Sequence, residues 1–498
     1  MKDPTLNRRE FLKGCCATAA VGAVGPAMLF SDPAYAAVNP YDTVVHVFLR
    51  GGIDGLNLVP PISGEDRIQY EQARPNLQIA ATGTYGALPL TLAGGGATGF
   101  GLHPSATGLR DLWNDGRLAI VHGCGLLTSV TRSHFDAQLY LDLGTPGQKG
   151  SGSGWITRAW ATQPGATGLE TMPALAVNSR TPANMLGATQ ALSMGSPADF
   201  ALNAGSWAWQ MRRADSPAGF EGVNETLAQI WTGRSLIEKD GLRADHSLRV
   251  IAQQPYASLP ATWPDNNFSR QLWTVAQSIR FNLGMRYATV DLGGWDTHDG
   301  QGTAGAGYNY YQNKIAELSQ ALAALYAELS TGGEIGRVTI VVQSEFGRRV
   351  RQNGSGGTDH GYGNPLLVLG GAVNGRRFYG NWLGLDPAVL EPYFGDVPVT
   401  TDYRRVFSEL LIRRMANNQL GAVFPGYGGY SPLGIVQGAD IAPQYAVAGA
   451  VAQSARLPDH VQPRYGESLE SVAPEAPAAT PAWQKRGKVD RKLIRRGL

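Results

Sequence analysis

Acidic and imidazole side chains concentrate in a few short, glycine-bounded stretches of this 498-residue chain. Asp54 lies in Arg50-Gly51-Gly52-Ile53-Asp54-Gly55, and Asp296 and His298 lie in Gly293-Gly294-Trp295-Asp296-Thr297-His298. Glu345 and Arg348 fall in Ser344-Glu345-Phe346-Gly347-Arg348, and His360 in Gly357-Thr358-Asp359-His360-Gly361. Brought together, Asp54, Asp296, His298, Glu345 and His360 would make a site for a divalent metal, because Asp, Glu and His are hard-to-borderline ligands suited to zinc, manganese or similar ions. Asp296 and His298 form the strongest local pair, since alternate residues of an extended segment point to the same side. Each stretch alone also fits a structural role. Asp54 between glycines suits a turn, Glu345 a helix cap or ion pair, and Asp359-His360 an exposed loop.

The argument for convergence comes from the elements that carry these residues. Short β-branched runs at Thr43–Leu49, Leu118–His122, Ala174–Val177, Arg286–Leu292, Val338–Gln343 and Leu366–Leu369 read as strands buried on both faces. Helical patterns lie between them at Ser105–Asn114, Ser133–Leu143, Asn267–Leu283, Tyr308–Leu329 and Asp402–Met415. This alternation predicts an α/β fold with a mostly parallel sheet flanked by helices. In such a sheet ligands bind outside the carboxyl ends of the strands, and that is where the first three stretches fall. Residues 196–264 interrupt the alternation with Trp207, Trp209, Trp231 and Trp263 and read as a helical insertion. Those tryptophans suit core packing more than a sugar or aromatic site. His46 and His122, inside or at the end of strands, read as structural.

Taken together, these stretches and Arg132-Ser133-His134-Phe135-Asp136 resemble the exported "domain of unknown function 1501" family over roughly residues 40–435. That family is similar to the alkaline phosphatase and sulfatase superfamily, so the resemblance implies an alkaline-phosphatase-like core, two metal ions, and a Ser, Thr or modified Cys nucleophile at a helix start on the same rim. Asp54 then matches the carboxylate after the first strand, Asp296 and His298 the Asp-and-His pair, and His360 the last histidine. Glu345 stands where phosphatases place an Asp-His pair, with Phe346 in the place of a metal-binding histidine. Arg348 could fill the vacated position and clamp an anion. Thr128-Ser129-Val130-Thr131-Arg132 faintly resembles the sulfatase nucleophile motif, which would make Thr128 the nucleophile and Arg132 its partner. Ser133 is a second nucleophile candidate, or a plain N-cap of the helix it opens, and His134 would act as acid or base or simply pack. The implied activity is metal-dependent hydrolysis of a phosphate or sulfate ester, with a small or polymeric anion as substrate. The Phe346 departure keeps open a non-catalytic binding or assembly protein on the same fold.

The ends bound where this chemistry takes place. Asn7-Arg8-Arg9-Glu10-Phe11-Leu12-Lys13, the apolar Ala17–Phe30 stretch and Ala34-Tyr35-Ala36 read as a twin-arginine signal over residues 1–36. The expectation is transport by the twin-arginine translocase to the periplasm or beyond, with a mature start near Ala37. No other apolar run reaches membrane length, and a signal of this kind removes Cys15 and Cys16, leaving Cys124 without a disulfide partner. The domain would then span residues 37–440, followed by a tail over 441–498 that is rich in Pro and Ala and then basic. Its last 14 residues carry seven Lys or Arg against Asp490, a local +6. With +1 on the signal, the formal total of +2 leaves about −5 on residues 37–484. No nucleic-acid module is recognisable, and the tail reads as solvated.

Overall fold

The computed structural model describes residues 42–445 apart from 169, 179, 198–229 and 394. The signal, the basic tail, Trp207 and Trp209 lie outside the described residues. Within them the predicted strands and helices form nearly as the sequence implies. The main sheet contains β1 (Thr43–Leu49), β4 (Leu118–Gly125), β5 (Ala174–Ala176), β6 (Ala191–Ser193), β7 (Tyr287–Leu292), β8 (Val338–Ser344), β9 (Asn364–Gly370), β10 (Arg377–Tyr379) and β11 (Thr401–Asp402), while β2 (Leu88–Thr91) and β3 (Ala97–Leu102) make a separate antiparallel pair. The order across the sheet is β10-β4-β9-β8-β1-β7-β5-β6, with β11 paired to β4.

β1 shows why the sheet is central. All seven of its residues are buried, and alternate side chains serve two cores. Val45, Val47 and Leu49 point to one face, Val44 and Phe48 to the other. The first core is completed by helices α2 (Thr107–Asn114), α6 (Asn267–Arg280) and α7 (Tyr310–Thr331), through residues such as Leu112, Leu272, Ile279 and Leu322. The second is closed by α3 (His134–Leu143), α4 (Trp155–Ala161) and α8 (Tyr403–Arg413). The remaining helices of seven or more residues among those described are α1 (Gly64–Ala73) and α5 (Leu236–Ala252). α5 lies within residues 230–264, the larger described part of the segment expected to be a helical insertion. Trp263, at the end of that segment, is buried edge-on against Trp273 at 5.5 Å, so it packs in the core.

His46 lies inside β1 at 1% exposure, where burial pushes its pKa down to about 3. His122 stacks on Phe378 with ring centroids 4.5 Å apart, and burial lowers it to about 4. Both are neutral structural side chains, as expected.

One strand departs from the parallel pattern. β9 runs antiparallel to both of its neighbours, β4 and β8, while the other pairings in the main sheet are parallel. Its first residue therefore lies at the rim where β1, β7 and β8 end. His360, four residues before β9, reaches that rim from the opposite chain direction.

Candidate metal centre

Three side chains from three separate elements meet at this rim. His134 opens α3, Asp296 follows β7, and His360 precedes β9; one ligand atom from each lies within 4.8 Å of the others. Two ligand atoms on one ion at bonds of about 2.0–2.2 Å lie at most about 4.4 Å apart. A cation would thus close the cluster by a small contraction. The donor set is two imidazoles and a carboxylate, which leaves positions open for water or substrate.

Each imidazole is held from behind. His134 Nδ1 is 2.8 Å from Glu345 Oε1, and its Nε2 is buried without a hydrogen-bond partner, 3.4 Å from Asp296 Oδ2. His360 Nδ1 is 2.7 Å from the Arg132 carbonyl oxygen, with Nε2 3.2 Å from Asp296 Oδ1. A carbonyl oxygen can only accept, so His360 Nδ1 donates to it and Nε2 is the nitrogen left facing Asp296. Glu345 Oε1 likewise accepts from His134 Nδ1, which leaves Nε2 as the nitrogen facing Asp296. Outer hydrogen bonds of this kind fix ring orientation and raise ligand basicity at metal sites.

Electrostatics favour the unprotonated forms of Asp296 and His360. Burial raises the pKa of Asp296, but the hydrogen bond and charge of Arg348 outweigh it, with help from His134 and His298, and bring it down to about 2. For His360 burial is the largest influence, and it holds the ring below the usual histidine value. Glu345 is 1% exposed; burial alone would raise it, yet hydrogen bonds from His134 and Gln138 bring it below the ordinary carboxylate range. The centre accordingly presents two carboxylates beside neutral His360.

The backbone that allows this approach is specific. Gly51 has φ +121°, and a Cβ there would meet Asp296 N at 2.5 Å. Its own N–H donates to Glu345 Oε1 at 2.7 Å. Glycine at this position lets the turn after β1 touch both site loops.

The structure gives the other predicted residues different duties. Asp54 is not a ligand of this cluster: it is fully buried, paired with Arg74 Nη1 at 2.6 Å, and accepts from Gln301 Nε2 at 2.7 Å. Glu345 lies behind His134, since its Oε1 accepts from Gly51, His134 and Gln138, and Oε2 lies 3.0 Å from the Ser344 hydroxyl. His298 stands at the edge, its side chain 43% exposed and its Nδ1 2.7 Å from Asp296 Oδ1. Arg348 cannot clamp an external anion. It is 2% exposed, donating to Gly51, Gly52, Trp295 and Thr358 carbonyls and to Asp296 Oδ1 at 2.6 Å. It therefore orients the carboxylate.

The nucleophile candidates are also engaged. Thr128 is exposed, and its hydroxyl accepts from Arg404 Nη2 at 3.2 Å. Arg132 pairs with buried Asp396 and lies over the Tyr362 ring at 4.5 Å. Ser133 is the N-cap of α3, its Oγ accepting from Asp136 N at 3.3 Å. Phe346, the departure noted in the sequence, packs its ring 4.9 Å from His134 and 4.8 Å from His360, so an apolar wall stands where the resemblance places a further ligand.

His134 was legible as a rim residue but not as a candidate ligand. The signal available was its position at a helix start after β4. Gln138, Gln301 and Arg74 carried no signal, because each acts through a partner distant in sequence.

Residues 274–394 match the model of the family described as "Protein of unknown function (DUF1501)", which supports the family resemblance. The match includes Asp296, His298, Glu345, Arg348 and His360 and stops short of His134 and Asp54. No curated protein and no solved structure matches the chain.

Proposed function

We propose that His134, Asp296 and His360 bind one divalent cation such as zinc or manganese, and that the protein is a metal-dependent hydrolase of phosphate or sulfate esters. The observation that carries this reading is His134 Nε2: a buried nitrogen without a hydrogen bond, its ring held by Glu345 from behind, facing Asp296 and His360. Burying a polar atom unsatisfied costs free energy, and a cation at this point would recover it.

A bound divalent cation acts as a Lewis acid that stabilises developing negative charge and lowers the pKa of water. The chain's own groups supply the rest. Glu345 and the Arg132 carbonyl keep both imidazoles in the ligating tautomer, and Arg348 keeps Asp296 anionic and aimed. His298, exposed at the mouth, is placed to hydrogen-bond a substrate oxygen. Two carboxylates, one guanidinium and a divalent ion sum to a net positive centre, which favours an anionic ester. With Ser133 capping a helix and Thr128 held by Arg404, the reading takes water rather than a side-chain hydroxyl as nucleophile. Locked Asp54 and apolar Phe346 support one metal rather than two.

The test is metal analysis of chelator-free protein, followed by hydrolysis assays on phosphate mono- and diesters and sulfate esters. One equivalent of metal, lost in His134→Ala, is expected. Metal bound without turnover of any ester would instead favour the binding or assembly reading, for which the apolar wall of Phe346 is the supporting observation. No metal in the wild type would end the metal-dependent hydrolase reading.

We place this activity outside the cytoplasm on the strength of the twin-arginine pattern in residues 1–36. Among the described residues no helix is long and apolar enough to cross a membrane. Substituting both Arg8 and Arg9 by Lys should leave the protein in the cytoplasmic fraction.

A further inference from the structure

We infer that Gln301 is the positioning residue of the metal centre, a buried amide that locks together the two loops carrying Asp296 and His360; the inference rests on the metal-site reading above. Gln301 is fully buried, three residues after His298, and touches neither ligand. Its Oε1 accepts from the Thr297 hydroxyl at 2.7 Å and from the Thr358 hydroxyl at 3.2 Å. Thr297 is the neighbour of Asp296, and Thr358 lies two residues before His360. A single carbonyl oxygen thus uses its two lone pairs on the two ligand-bearing loops.

The other end of the same amide is anchored. Gln301 Nε2 donates to Asp54 Oδ2 at 2.7 Å, and Asp54 is fixed by Arg74, whose Nε and Nη2 donate to the carbonyls of Val350 and Arg349. Backbone bonds reinforce the lacing: Thr358 N–H donates to Thr297 O at 3.0 Å, Gln301 N–H to Gly356 O at 2.9 Å, and Gly300 N–H to Ser355 O at 3.1 Å. Gly357 permits this contact, since a Cβ there would meet Thr297 O at 2.3 Å. The fully buried Tyr311 adds a last tie, its hydroxyl donating to the Asp54 carbonyl at 2.6 Å and its N–H to Gln301 O at 3.0 Å.

Only a side chain with an acceptor at one corner and a donor at the other completes this hub. Leu at 301 fills the space and loses both functions. Glu keeps the acceptor but sets a second carboxylate against Asp54.

The experiment measures cation affinity by calorimetry, the visible spectrum of the cobalt-loaded protein, thermal midpoint, and amide hydrogen exchange at residues 296–301 and 356–360 in the full chain. Gln301→Leu should weaken cation binding about 10- to 100-fold, the range typical of outer hydrogen-bond partners at metal sites, alter the cobalt bands, and raise exchange in both loops. The milder Thr297→Val and Thr358→Val variants should each weaken binding several-fold with little change in thermal midpoint, which guards against a Gln301→Leu protein that does not fold. Wild-type affinity and wild-type exchange in both threonine variants would overturn the inference. If the wild type binds no cation the metal-site reading fails, while the exchange measurements still decide whether Gln301 joins the loops.

Discussion

Asp54 and Asp296 arise from closely similar sequence, an aspartate a few residues past a buried strand in a glycine-rich turn, and the fold treats them in opposite ways. Asp296 keeps a side chain 49% exposed, receives one donor bond from Arg348, and faces three imidazoles, those of His134, His298 and His360. Asp54 lies wholly inside the protein, its charge cancelled by Arg74 and its Oδ2 shared with Gln301. Being a carboxylate at a strand end does not make a ligand. What differs is burial: the guanidinium that pairs with Asp296 leaves that carboxylate half exposed, whereas Asp54 and Arg74 are enclosed together.

The comparison breaks most visibly at Arg74. Removing it with Arg74→Met strands a buried carboxylate, and the expected cost is about 3–5 kcal/mol in denaturant unfolding, with part recovered in Asp54→Asn/Arg74→Met. A loss below 1 kcal/mol would mean Asp54 is not held as a buried ion pair. On the Asp296 side, Glu345→Gln should weaken cation binding about 10- to 100-fold while leaving the fold intact by circular dichroism. Unchanged affinity would remove Glu345 from its supporting role.

A third prediction concerns pH. His46, His103 and His122 have pKa values pushed down to about 3, 4 and 4, mainly by burial, from an ordinary 6.5. The unfolded chain binds protons at these groups first, so stability should fall as pH drops from about 6.5 toward 4. Asp296 works lower in the scale: its depressed pKa contributes stability above about 3.8 that is lost as pH falls toward about 2. Unfolding midpoints measured against pH should therefore decline first in the histidine window, and His122→Phe should flatten that decline. The smallest effect expected is Ser133→Ala, about 1 kcal/mol from loss of the N-cap, with ester hydrolysis unchanged. A collapse of hydrolysis without loss of stability would return Ser133 to the reacting groups.

Much of the architecture was readable because burial on both faces writes itself as β-branched runs. Thr43–Leu49 and Val338–Gln343 appear as strands within one residue of their predicted ends. Strand direction is not written that way, and the antiparallel setting of β9 could not be inferred from Leu366–Leu369. At the rim the sequence identified Asp296, His298, Glu345 and His360 as neighbours, and they are. It could not divide ligand from support, because Glu345 and His134 exchange roles through one hydrogen bond between residues 211 apart in sequence. Asp54 was unreadable for the same reason: Arg74 alone carries no sign of the partner it neutralises.

The reversed direction of β9 also has a consequence for how the molecule assembles. β8 and β9 are joined by a single excursion, so Glu345 and His360 can be brought near each other early, by closing one loop. His134 joins them through the pairing of β4 with β9, but Asp296 cannot do so until β1 has inserted between β7 and β8, pairings that bridge more than 240 residues. Long-range parallel pairing is slow to form. Capture of a cation by all three ligands would therefore be a late event, following completion of the central sheet, and its rate would report when that sheet has closed.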